Sequence, residues 1–203
     1  MVEQEQGRSL ANAEASLARF NAAVAARRAS AETHILHTTL YEANEHVAAL
    51  ARTFDLCIMP MLAADDGQRA MAEAVMFGSG RPVLLLPLGP GAPPCAKLER
   101  IVIAWDGGRA SARAVADAMP VLKAAAQVNI LTVLNEKKGV STRSADALGA
   151  HLSRHGVTAA IEVADASGRA IGEVIERRVA DLAADLLVMG AFGHSRAREF
   201  ILG

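Results

Sequence analysis

DLLVMGAFGHSRAREFILG, Asp185 to Gly203, starts as a short apolar run and passes directly into glycines at 190 and 193. A strand buried on both faces of a parallel sheet reads as such a continuous apolar run, and a glycine turn after it opens the next helix. Glycines there let the backbone turn sharply and approach a ligand, while N–H groups at a helix N-terminus point at anionic oxygen. The stretch reads Gly190-x-x-Gly193 and then Gly203 after nine intervening residues, and its physics is that of a phosphate cradle. Ser195 would serve as N-cap or phosphate donor, with Arg196 and Arg198 adding positive charge. The plainer alternative is a tight strand–helix turn with no ligand.

Upstream of this stretch, apolar runs alternate with segments of helical period, the grammar of βα units in a parallel sheet. Strands are expected at Arg100–Trp105, Val128–Leu134, Ala159–Ala164 and Asp185–Met189, and helices at Ser111–Ala126, Thr142–His155, Ile171–Ala183 and from Ser195. Ala112, Val115, Met119 and Leu122 share one face of the first helix, and Pro120 should bend or loosen its end. The first strand ends in Ala104-Trp105-Asp106-Gly107-Gly108. Ligands of open parallel sheets sit beyond the strand carboxyl ends, where the strand order reverses. An acid at position 106 could accept hydrogen bonds from an adenine amino group or a ribose hydroxyl; the alternative is a simple Asp-Gly turn. The Asp106 and Gly190 loops follow adjacent central strands and would face one pocket.

The earlier half shows a shortened form of the same grammar. Helices are expected at Leu10–Arg27, Glu42–Arg52 and Gln68–Phe77, and strands at Thr33–Thr38, Asp55–Pro60 and Pro82–Pro87. DLCIMP, Asp55–Pro60, matches DLLVMG, Asp185–Gly190, which points to an internal repeat of roughly half the chain. LGPGAPPCAK, Leu88–Lys97, reads as a linker. The expected organisation is a partial, degenerate unit over 1–88, a linker over 89–97, and a more complete unit over 98–203 without its closing strand. On this reading 203 residues are too few for two whole units.

Composition removes other classes. With 21 basic and 22 acidic side chains the net charge is −1, which provides no general surface for nucleic acid or anionic lipid. Hydrophobic residues make up 52% but aromatics only 3%, so the core must be built from Ala, Val, Leu, Ile and Met. The longest apolar runs, such as Val83–Leu88, fall far short of the ~20 residues that span a bilayer. Cys57 and Cys95 have no CxxC spacing, and the N-terminus carries acids and amides where a secretory signal needs basic and apolar stretches. A reducing, cytoplasmic setting is expected.

Asp106 after a strand, Val133 near the end of the second strand, and the Gly190-x-x-Gly193-x9-Gly203 spacing resemble the nucleotide-binding universal stress proteins. The resemblance covers Leu98–Gly203 and, through DLCIMP and Ala72–Pro87, part of the first unit, in the manner of tandem bacterial members. It implies a Rossmann-like, doubly wound parallel sheet with helices on both faces, binding ATP or a related adenine nucleotide, with Mg possible beside it. Asp106 would contact adenosine, the backbone around Ala104 and Val133 would read the adenine edge, and Met189 and Gly190 would lie beside the ribose. Gly193 and Gly203 would cradle phosphate. In the family pattern Ser or Thr follows the last glycine and reaches the terminal phosphate; the sequence ends at Gly203. The first unit has Pro60 and Ala63 where the glycines would be, followed by acidic residues, so no nucleotide is expected there.

Catalysis finds little support. There is no Gly-x-Ser-x-Gly elbow, no lysine of a Walker loop and no obvious general base for water, so weak ATPase activity is the most that is expected. His151 and His155, and His34 and His37, lack a third ligand of helpful spacing and read as solvated pairs. The expected function is stress-linked regulation by binding, as a homodimer or intramolecular pseudo-dimer around Pro82–Pro87. The alternative is a scaffold of the same fold that holds no nucleotide.

Overall fold

The computed structural model describes residues 2–62, 65–89, 97–134 and 142–191. The chain falls into two compact units, Met1–Ala43 and Asn44–Gly203.

The first unit consists of a 25-residue helix α1 (Val2–Ala26), an extended segment, and the opening of α2 (Leu40–Ala51). Thr39-x-x-Glu42 forms a capping box at the start of α2: Thr39 N and Oγ1 donate to Glu42 Oε2 at 3.3 and 2.9 Å, and Glu42 N donates back to Thr39 Oγ1 at 3.4 Å. The strand expected at Thr33–Thr38 is absent. Ile35 and Leu36 are exposed there, and no described segment pairs with them. An apolar run becomes a strand only when a neighbour takes its backbone hydrogen bonds.

The second unit holds two parallel sheets. One pairs β1 (Cys57–Leu62) with β2 (Val83–Leu88), in register from Cys57 opposite Val83 to Leu62 opposite Leu88. The connecting helix α3 (Asp66–Gly78) packs Ala72 and Val75 against Met59 and against Ala48 and Ala51 of α2. Asp65 caps α3 by accepting the Gln68 N–H at 3.0 Å. Asp65, within the acidic stretch, therefore has a structural task. Cys57 N–H donates toward β2, to Pro82 O, so strand alternation turns the Pro60 nitrogen away from it, where a missing N–H costs no ladder bond.

The other sheet has the order β5-β4-β3-β6, built from β3 (Arg100–Ala104), β4 (Gln127–Leu134), β5 (Ala159–Asp165) and β6 (Leu186–Val188). All pairings are parallel. Ile101, Val102 and Ile103 are fully buried, as expected of a strand covered on both faces. On one face Ile101, Ile103, Val128 and Ile130 meet α4 (Arg109–Ala124) and α5 (Thr142–Arg154) through Val115, Leu122, Leu148 and Leu152. On the other, Val102 and Leu131 meet α6 (Ile171–Asp181) through Val174 and Ile175. Pro120 lies inside α4, which continues to Ala124 before its cap. Asp185 ties the strand starts together: its carboxylate accepts from Glu99 N at 3.1 Å, Arg100 N at 2.8 Å and the Arg100 guanidinium at 3.0 Å.

This is the doubly wound arrangement. From β3 the chain winds through α4, β4 and α5 to β5, and α6 then carries it back to the far side of β3. The order reverses between β3 and β6, so the ligand crevice of this topology lies beyond their carboxyl ends.

Candidate functional site

Three segments converge at that switch point. The β3 strand runs out into Trp105-Asp106-Gly107-Gly108, α4 begins at Arg109, and β6 runs out into Met189-Gly190. Asp106 is half-buried. Its Oδ1 accepts the Gly108 N–H at 2.8 Å and the Ser111 hydroxyl at 2.6 Å. Gly108 is the N-cap of α4 and has no side chain to offer, so the carboxylate two residues earlier supplies negative charge at the positive end of the helix. Gly107 has φ +73°, a left-handed conformation that glycine takes without penalty. The Asp-Gly turn is thus real, and Asp106 has structural work to do within it.

Gly190 is required for a different reason. Its φ is not in the left-handed region. A Cβ added there would lie 2.5 Å from Ala110 C and 2.6 Å from Ser111 N. The β6 exit therefore lies directly on the first turn of α4, which brings the Asp106 loop and the Gly190 loop together on one short piece of helix backbone.

The remaining positions singled out by the sequence divide in two. Ala104 ends β3, Val133 lies one residue before the end of the adjacent β4, and both pack on the α6 side with Leu131 and Val174. Met189 is half-buried beside Gly190. Gly193, Ser195 and Gly203, with Arg196 and Arg198, lie outside the described residues, as does the helix expected from Ser195. Residues 90–96 of the expected linker also lie outside them.

Sequence reasoning missed two contacts at this corner. Ser111, 4% exposed at the third position of α4, reads as an ordinary helix serine until the turn folds back and presents Asp106 to it. Trp105 packs on the α4–α5 side of the core, and its indole N–H donates to Ser144 Oγ at 3.2 Å, fastening the start of α5 to the end of β3. A local signal for Ser111 does exist, the Asp-Gly-Gly-x-x-Ser spacing over 106–111.

The arrangement suits binding. A carboxylate and backbone groups at a helix N-terminus can accept from and donate to a polar ligand. Among the described residues no group of three or more His, Cys, Asp or Glu could hold a metal ion. His151 and His155 place their rings 4.7 Å apart on the exposed end of α5. Burial pushes the Cys57 thiol above its ordinary value, which makes it a poor nucleophile at neutral pH. No helix among the described residues is long and apolar enough to cross a membrane.

No protein-family profile matches the chain, and no curated protein matches it. Solved structures do. A universal stress protein from Archaeoglobus fulgidus DSM 4304 superposes with a TM-score of 0.71 at 17% identity, covering 95% of this chain and 69% of that one. A protein of the universal stress protein family from Burkholderia pseudomallei is 24% identical over 51% of this chain and 88% of its own, with a TM-score of 0.43. The fold assignment rests on the first, together with the strand order and the helices on both faces. The chain has the Rossmann-like, doubly wound α/β fold of the universal stress proteins.

Proposed function

We propose that this chain is a stress-response regulator of the universal stress protein type that holds ATP or a related adenine nucleotide, with Mg beside it, and acts by binding rather than turnover. The supporting observation is the meeting of the Asp106 loop and the Gly190 loop on the first turn of α4 at the switch point. In this reading Asp106 contacts the adenosine, Ala104 and Val133 flank the base, and Met189 and Gly190 flank the ribose. Gly193, Ser195 and Gly203 serve the phosphates. The nucleotide unit spans 98–203, and the 1–88 unit is its degenerate partner. The test is equilibrium binding of ATP to the full chain. Asp106→Ala should weaken binding roughly tenfold or more, as loss of a charge-assisted contact does. Equal binding by parent and variant, or none by the parent, would overturn the reading.

A second reading draws on two hydrogen bonds: Asp106 accepts from Gly108 and Ser111 of its own chain, a structural role that needs no nucleotide. In that reading the fold is a nucleotide-free scaffold, associating as a homodimer or internal pseudo-dimer around Pro82–Pro87. Mass spectrometry of the purified chain separates the two, since a retained nucleotide belongs only to the first.

A further inference from the structure

We propose that Ser111 is the positioning residue of this site, fixing the Asp106 carboxylate in the orientation that meets the ligand. The proposal rests on the nucleotide reading of Asp106 for its effect on affinity, but not for the geometry itself. Ser111 is 4% exposed, so its side chain is largely shielded from bulk water. It lies 2.6 Å from Asp106 Oδ1 and 2.9 Å from Gly108 O. A hydroxyl has one proton, and the ionised carboxylate is the nearer and stronger acceptor. The same residue's backbone nitrogen lies under Gly190, 2.6 Å from where a Cβ would stand. One residue thus touches both loops of the crevice, holding the acid of one through its side chain and seating the other against its main chain.

The mechanism is pre-organisation. Asp106 Oδ1 receives two donors from the α4 turn, Gly108 N–H and the Ser111 hydroxyl. Each donor restrains the plane of the carboxylate, and losing the hydroxyl removes one of those restraints. A carboxylate already held in place pays less ordering entropy when a ligand binds. Without the hydroxyl that cost returns, and a half-buried acceptor loses a donor.

The experiment measures ATP affinity and the Gly108 amide resonance in the full chain for the parent, Ser111→Ala, Ser111→Cys, Asp106→Ala and the Asp106→Ala/Ser111→Ala double variant. Cysteine preserves the packing but is a weak donor, which separates the hydroxyl's bond from its volume and covers a failure of the alanine variant to fold. We expect Ser111→Ala and Ser111→Cys each to lose affinity about tenfold, and the double variant to be no weaker than Asp106→Ala, the non-additivity expected of groups acting as one unit. The Gly108 amide of both serine variants should move toward its position in Asp106→Ala. Parent-like affinity in Ser111→Cys, or losses that multiply in the double variant, overturn the proposal. If the parent itself binds no ATP, the nucleotide reading fails and the amide alone decides: a shift toward its Asp106→Ala position upholds the positioning role, and no shift or a shift in another direction overturns it.

Discussion

Gly190 illustrates how a residue can be legible in sequence while its reason is not. The glycine motif after an apolar run pointed to close backbone approach, and close approach is what Gly190 makes. Its neighbour is the first turn of α4 within the chain itself. Gly190→Ala should therefore cost about 1–3 kcal/mol, the usual penalty for forcing atoms into packed structure, read as a lower urea midpoint. Thr132 presents the opposite case. It is fully buried on β4, and its Oγ1 has no hydrogen-bond partner among the described residues. Valine has the same shape without the hydroxyl, so Thr132→Val should be neutral or stabilise by about 1 kcal/mol in the same measurement. A destabilised variant would show that the hydroxyl is satisfied in solution. Asp106 was readable from its place at a strand end. Ser111 was missed, because a serine in a first helical turn is common and its one local sign, the spacing from Asp106, gains meaning only once the turn folds back.

Among elements, the strands and helices from Arg100 to Val188 were readable because continuous apolar runs and helical periods do not resemble one another over these lengths. Thr33–Thr38 was not, since a short apolar run says nothing of whether a neighbour exists to pair with it. The bond between β3 and β6 carries a pH prediction. Hydrogen bonds from Arg100, backbone and guanidinium, and from the Glu99 amide hold the Asp185 carboxyl below its ordinary value of 3.8. A depressed folded value means that this contribution is complete above about pH 4 and disappears as pH falls through the folded value. The stability difference between parent and Asp185→Asn, measured by urea unfolding, should therefore be larger at pH 6 than at pH 3. A difference that does not change with acidification would refute the coupling. At the edge of β1, Pro60 offers no N–H and the Leu62 N–H is taken by Gln68 Oε1 at 2.9 Å, so that edge is a poor template for a further strand.

On the scale of the whole molecule, the near-zero net charge means that any phosphate attraction must be local, arising from backbone N–H groups and a few arginines. The sheet of β1 and β2 is the less finished part. One face packs on α3, while Ile58, Leu62 and Leu88 stay 57%, 41% and 51% exposed. Exposed apolar side chains on one face of a small sheet are the kind of surface that association covers. Under the dimer reading, changing Ile58 and Leu88 together to serine should shift the mass from light scattering toward the monomer. An unchanged mass would place the association elsewhere.

The chain has one tryptophan, and it stands at position 105 with its ring against the core and its N–H bonded to Ser144. Intrinsic fluorescence excited at the red edge of absorption therefore reports on a single corner, the residue immediately before Asp106. A change in emission on adding a ligand, on acidification or on unfolding will describe this corner first, with no label attached and no second fluorophore of its kind to average against.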